Sequence, residues 1–209
     1  MREMPKQLTP NVYDVDIAGE KVSLPVLPVS DTLAISLLMV IDMGVEFGER
    51  AGKALAEKTA HLKPEIVVAP ATLGIPIAIE VTRWYGLDDY VILQKSPKIH
   101  LGDALFREVQ SVTSKGSQRI LLDSRAVPLL KGRRVLLVDD VVATGSSLAA
   151  SIALTRDAGA ELVGVGVILT EGYGWKETLG EDAKLIHELG HIPQFAIEGN
   201  KATPIPDTL

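Results

Sequence analysis

The chain has 209 residues, 46% of them hydrophobic and 23% charged, the composition of a globular protein long enough to bury one full core. Its formal net charge of −6 supplies no global basic field to attract nucleic acid, and the absence of cysteine excludes disulfides and thiolate metal sites. No uninterrupted apolar stretch reaches the ~18 residues a membrane span needs, and the opening segment MREMPKQLTPNVYDVD lacks an apolar core of signal-peptide length, so the expectation is a cytoplasmic protein with neither membrane nor nucleic acid as partner.

Taken in chain order, residues 11–29 alternate apolar and polar positions about an Ala18-Gly19-Glu20 turn, the pattern of a β-hairpin. LAISLLMVI at 33–41 reads as strand or buried helix on periodicity alone; Asp42 and Gly44 break it early and favour strand. An amphipathic helix is expected over about 45–61, with Val45, Gly48, Ala51, Leu55 and Ala56 sharing a face. Then comes a regular rhythm: strand at 65–69, helix at 75–86 ended by Gly86, strand at 90–94. Residues 95–117 are polar and irregular, longer than an ordinary connection, and read as a lid or a solvated link. Strands at 118–123 and 133–139 precede a helix at 146–160 capped by Gly159, and a strand at 161–169. The tail carries a short helix near 178–189 and a last strand in IPQFAI. All-apolar strands alternating with helices specify an α/β fold, a parallel sheet covered on both faces.

The chemistry concentrates in VLLVDDVVATGSS at 135–147. Ligands of open parallel sheets sit beyond the carboxyl ends of the strands, and this segment runs from such an end into a helix. A helix amino end presents unsatisfied N–H groups and the positive end of the dipole, so small residues Ala143, Thr144, Gly145, Ser146 and Ser147 can wrap a phosphate there. The loop is neither a Walker A motif, since no Gly-Lys-Ser/Thr occurs, nor a G-x-G-x-x-G dinucleotide fingerprint. Asp139 and Asp140 fit the same ligand, because carboxylates accept hydrogen bonds from the 2′- and 3′-hydroxyls of a ribose whose 5-phosphate lies in the loop. The plainer alternative is that the pair caps the turn and starts the helix, which explains one aspartate better than two.

This segment resembles the phosphoribosyl pyrophosphate (PRPP) signature of type I phosphoribosyltransferases: apolar residues, two acids, then a Thr-Gly loop. VVAPATLGIPIA at 67–78 is similar to the family's strand, pyrophosphate loop and helix start, and VILQKSPKIH at 91–100 to its next strand, which ends in basic residues. The match spans about residues 65–170. It implies one domain over 1–209, a parallel-sheet core at about 45–170 with helices on both faces, and a small base-selecting hood from about 1–30 and 170–209. It also implies that Asp139, Asp140 and residues 143–147 bind PRPP, that Ala71, Thr72, Leu73 and Gly74 form the pyrophosphate loop, and that Lys95 meets the pyrophosphate. Lys95, Asp139 and Asp140 would carry the catalysis. Residues 99–118 would be the flexible catalytic loop, with Glu108 and Lys115 as candidates. Mg²⁺ would arrive with PRPP, without direct protein ligands, and the protein would be a homodimer. The reaction implied is transfer of ribose 5-phosphate from PRPP to a nucleobase, most similar to the adenine and xanthine branch. Two departures bear on adenine: Leu73 stands where the adenine enzymes carry Arg, and Ser114-Lys115-Gly116 where they carry Glu-Tyr-Gly. A xanthine or orotate acceptor, or a PRPP-sensing regulator without transferase activity, stays open beside it.

Two further motifs compete. HELGH at 187–191 satisfies H-E-x-x-H, which on a helix would aim His187 and His191 at one zinc with Glu188 as base. Gly190 and Pro193 read instead as a helix ending there, and beyond His191 only Glu198 offers a third ligand, at an unfamiliar spacing. EGYGWKE at 171–177 follows a strand end, where Tyr173 or Trp175 could stack on a base or pack the tail onto the core. Trp84 and Tyr85 read as core or interface, and the run at Glu181 and Asp182 as solvated surface.

Overall fold

The computed structural model describes residues 8–96, 104–109 and 118–209. The hairpin forms as read: β1 (Val12–Ile17) pairs antiparallel with β2 (Glu20–Pro28) across the Ala18-Gly19 turn, both turn residues at positive φ. β3 (Leu33–Ser36) is shorter than the apolar run, which leaves the sheet and turns into a 3-10 segment at Val40–Asp42. The cause lies on the partner strand. Val26 faces Ser36, and the next residue of β2 is Pro25; it accepts the Leu37 N–H at 2.9 Å but has none to return.

α1 (Val45–Thr59) buries Phe47, Gly48, Ala51, Leu55 and Ala56, whereas Val45 is 88% exposed, on the flank of that face and in the first turn. β4 (Ile66–Pro70), α2 (Gly74–Trp84) and β5 (Tyr90–Leu93) follow. Within the stretch read as irregular, Leu105–Val109 forms a strand, β6, paired antiparallel with β7 (Gln118–Leu122) as a separate ribbon. Its Arg107 grips Asp157 through two hydrogen bonds of 2.6 and 2.8 Å, so cross-strand pairing and this ion pair supply the order that periodicity alone does not signal. A short α3 (Val127–Leu130) leads to β8 (Arg134–Val142), α4 (Ser146–Asp157) and β9 (Glu161–Glu171).

The tail departs most from expectation. In place of a helix at 178–189 stand α5 (Gly174–Leu179), a 3-10 segment at Gly180–Leu185, and a strand, β10 (Ile186–Ile192); β11 (Gln194–Glu198) and β12 (Lys201–Pro204) complete the chain's strands. Gly190 is therefore not a helix stop. A Cβ there would run into the carbonyl oxygen of Asp16, so glycine lets β1 pack directly on β10.

Two five-stranded sheets result. One is antiparallel in the order β1-β2-β3-β11-β12, closing over Leu8, Val26, Ala34, Phe195, Ile197 and Ala202. The other runs β10-β9-β8-β4-β5, all neighbours parallel. Alternate residues of β4 and β8 serve opposite faces: Val67, Ala69, Leu136 and Val138 pack with α1 and α2, and Ile66, Val68, Val135 and Leu137 with the α4 side. Such strands are apolar at every position because neither face meets water.

Candidate active site at the switch point of the parallel sheet

The order of the parallel sheet creates a crevice. From β4 the chain crosses to β5 on one side, while from β8 it proceeds to β9 and β10 on the other. Connections diverge between β4 and β8, and beyond the carboxyl ends of two such strands lies the place where open α/β sheets bind ligands. The two segments flanking this crevice are 71–74, after β4, and 143–147, after β8.

The amino ends of two helices border it. α2 begins at Gly74 and α4 at Ser146, and no side-chain hydrogen bond caps either through its N-cap residue, Leu73 or Gly145. Only a long 3.4 Å bond from the Ser146 N–H to Thr144 Oγ1 occupies part of the second. The Ala71–Thr72 peptide bond is cis. Gly74 brings α2 close to β8: a Cβ there would lie 3.1 Å from Ala69 Cβ, 3.2 Å from Asp139 Oδ1 and 3.4 Å from the Val138 carbonyl. Gly145 has φ +80° and backs onto α5, where a Cβ would meet Thr178 Cβ and the Cα and carbonyl oxygen of Trp175, each at 3.2 Å. Between them, Asp139, Val141, Val142, Ala143, Thr144, Gly145, Ser147 and Leu148 line a cavity of about 170 Å³. That is smaller than the ~300–1,000 Å³ of a whole small-molecule site and suits one group of a larger ligand.

Asp139 and Asp140 are half-buried at the end of β8, with the Asp140 N–H donating to Asp139 Oδ1 at 3.0 Å. Burial pushes the Asp139 carboxyl well above its ordinary value, the neighbouring Asp140 carboxylate adds to the rise, and the Lys95 ammonium offsets part of it. Lys95 itself is exposed, just past β5. The crevice thus gathers 71–74, 139–140 and 143–147, with Lys95 near enough to act electrostatically on Asp139. Glu108 stands apart on β6, exposed and paired with Arg119 at 3.4 Å. Lys115 and most of the expected flexible loop at 99–118 lie outside the described residues.

The zinc reading fails on geometry. On β10, His187 and His191 are four strand residues, ~13 Å, apart rather than one helical turn. His187 sits edge-on to His61 with ring centroids 5.5 Å apart, its imidazolium disfavoured by burial first and then by His61 and Lys58. His191 Nε2 lies 2.8 Å from the Thr208 carbonyl, which can only accept, so Nε2 carries the proton and Nδ1 accepts from Thr170 Oγ1 at 2.8 Å. Among the described residues no three His, Asp or Glu side chains gather to hold a metal. Tyr173 stacks on His191 at 4.8 Å and donates to the Leu209 carbonyl, and Trp175 is buried with its Nε1–H on the Gly172 carbonyl at 2.9 Å. Both aromatics pack the tail.

One residue escaped the sequence reading. Glu171 ends β9, is only 5% exposed, and accepts from Gln194 Nε2 at 3.0 Å. Burial raises its carboxyl above the ordinary value, with the Gln194 bond working against the rise. Its signal was the same as for Asp139: an acid directly ending an all-apolar strand.

A model of the phosphoribosyl transferase domain matches residues 45–196, well over half of the chain. The chain belongs to this family. Among curated phosphoribosyltransferases, a xanthine phosphoribosyltransferase of Bifidobacterium adolescentis is 33% identical over 153 residues, 71% of this chain and 77% of that enzyme. A xanthine phosphoribosyltransferase of Laribacter hongkongensis is 31% identical over 123 residues, a match spanning 58% of this chain and 64% of the Laribacter enzyme. An orotate phosphoribosyltransferase of Caldanaerobacter subterraneus is 33% identical over 128 residues, 61% of this chain and 56% of that one. The crystal structure of an adenine phosphoribosyltransferase from Thermoanaerobacter pseudethanolicus shares the fold, with TM-score 0.63 at 20% identity, covering 87% of this chain and 96% of that one.

Proposed function

We propose that this phosphoribosyltransferase transfers the ribose 5-phosphate group of PRPP to a nucleobase, a purine in preference, with release of pyrophosphate. The observation that carries the reading is the meeting of two helix amino ends with the Asp139–Asp140 pair at one switch-point crevice. The backbone N–H groups of 143–147 hold the 5-phosphate, and those of 71–74 hold the pyrophosphate. Asp139 and Asp140 accept from the ribose hydroxyls. As the C1–oxygen bond to pyrophosphate breaks and a base nitrogen bonds C1, positive charge develops on the ribose ring and the nitrogen gives up its proton. A carboxylate pair fixed beside the ring stabilises that charge, and the exposed Lys95 ammonium meets the negative charge growing on the leaving group. The donors on hand suit a hard cation: carboxylate oxygens of Asp139 and Asp140 beside a ligand rich in phosphate and hydroxyl oxygens. The chemistry magnesium supplies when bound with PRPP is neutralisation of the leaving pyrophosphate.

The parallel sheet with its helices serves as the core and the antiparallel sheet as the hood of a single domain; a homodimer and a cytoplasmic setting belong to the same proposal. Calorimetry with PRPP tests the binding half. Asp139→Asn together with Asp140→Asn should lower PRPP affinity at least about tenfold, the size expected for lost charged hydrogen bonds, while circular dichroism stays unchanged. Full affinity in the double variant would overturn the assignment. Pyrophosphate release with adenine, guanine, hypoxanthine, xanthine, uracil and orotate tests the transfer, and no release with any of them would point to a PRPP-binding regulator.

A further inference from the structure

Glu171 has the surroundings of an acid waiting for a ligand. The β8–β9 register sets Val142 opposite Thr170, so Glu171 is level with Ala143, the first residue of the loop at 143–147. Its one partner, Gln194, begins β11 and pairs with Ile35 of β3, so this hydrogen bond joins the carboxyl edge of the parallel sheet to the antiparallel sheet. Gln194 is itself held at both backbone groups: its N–H donates to Thr208 Oγ1 at 3.0 Å and its carbonyl accepts from the Ile205 N–H at 2.8 Å. Among the described residues no further hydrogen bond or ion pair reaches the Glu171 carboxyl, although two carboxylate oxygens offer about four acceptor sites. A buried acid satisfied by a single neutral amide is poorly suited to a purely structural role, which a glutamine would fill without the desolvation of a charge.

The position says what should complete it. With the 5-phosphate in 143–147 and the ribose hydroxyls on Asp139 and Asp140, the base at C1 must lie between the carboxyl edge and the antiparallel sheet, the junction that Glu171 and Gln194 span. We propose that Glu171 is a base-selecting residue, accepting hydrogen bonds from N–H groups on the edge of a purine and repelling a base that carries a carboxylate, with Gln194 as its positioning residue. This rests on the transferase reading above. It also chooses between the acceptors named in the related enzymes: an N–H-bearing purine fits beside Glu171, and orotate brings a like charge to it.

The experiment compares wild type, Glu171→Gln and Gln194→Ala for pyrophosphate release across the six bases, with PRPP affinity measured separately by calorimetry and folding by thermal melting. Glu171→Gln keeps the side chain's size and can still bond Gln194, but replaces one acceptor oxygen with a donor. It should lower kcat/KM for the preferred base about tenfold or more, chiefly through KM, and narrow the preference over orotate, with PRPP affinity within about twofold of wild type. Gln194→Ala should raise KM for the same base by a smaller factor and leave kcat and PRPP affinity nearly unchanged. A base KM within about twofold of wild type in folded Glu171→Gln overturns the proposal while leaving the transferase reading intact. If that variant melts far below wild type, an unaltered base KM in folded Gln194→Ala overturns it equally. A wild type that binds PRPP yet releases pyrophosphate with no base overturns the transferase reading and this inference together.

Discussion

Gly145 tests whether the tail buttresses the phosphate loop, because two physical terms can be separated at it. Gly145 and Gly86 both have positive φ, +80° and +66°, so alanine at either carries the left-handed backbone penalty of ~1–2 kcal/mol. They differ in space. Nothing lies within 4 Å of a Cβ at Gly86, whereas at Gly145 it meets Thr178 Cβ, Trp175 Cα and the Trp175 carbonyl oxygen at 3.2 Å. Two of those three atoms are backbone and cannot rotate aside, so the loop or α5 must shift, an overpacking effect of ~1–3 kcal/mol. For a chain of this size ~1 kcal/mol moves Tm by ~2–4 °C, so Gly145→Ala should melt below Gly86→Ala by about 2–12 °C in differential scanning calorimetry. PRPP affinity should separate them further. Gly86 follows the carboxyl end of α2, about 16 Å of helix away from its amino end at the crevice, and its variant should bind PRPP like wild type. Gly145→Ala should bind more weakly, because the N–H groups that hold the phosphate move with the loop. Equal melting temperatures, or equal PRPP affinities, would refute the idea that α5 positions this loop.

Asp139→Asn alone should stabilise the free protein at neutral pH. The folded state holds the Asp139 carboxyl above its ordinary pKa, through burial and then the Asp140 charge, so wild type loses stability as pH rises from the unfolded value, ~3.9, through the folded one, and stays lowered above it. The amide variant has no such loss. Its Tm advantage should therefore grow between pH 5 and pH 8 and reach the ~0.5–2 kcal/mol typical of relieving a group destabilised for function; an advantage that shrinks with rising pH would contradict the raised carboxyl. His191→Ala should lower stability by ~1–3 kcal/mol by stranding the Thr170 hydroxyl and the Thr208 carbonyl. Elemental analysis should find no stoichiometric zinc in wild type; one zinc per chain, lost in this variant, would restore the hydrolase reading.

The parts of the fold legible in the sequence are those where one physical demand dominates. β4 and β8 are buried on both faces and so are apolar throughout, and the hairpin at 11–29 has one wet face and one dry one, giving clean alternation. The tail was misread because two demands overlap there. IHELGHI alternates imperfectly over seven residues, too few to separate a strand from two helical turns. What makes it a strand is remote: pairing with β9 and the close approach of β1 at Gly190. β6 was missed for the same reason, since its order comes from β7 and Asp157 rather than from its own pattern.

The same distinction governs the site. Asp139 and Asp140 stood out because two charges follow a run that is otherwise wholly apolar, and a fold does not place desolvated acids there without a partner in view. Glu171 ends β9 in the same way, one strand over, yet a single acid at a strand end also reads as the first solvated residue of a loop. Only the returning β11 distinguishes the cases, by closing over Glu171 and offering it a single amide. The ribose half of the crevice is therefore local in sequence, carried by one strand, loop and helix. The base half is assembled from β9 and β11, more than twenty residues apart and joined through the tail, which is why the transfer chemistry could be argued from one segment and the choice of base could not.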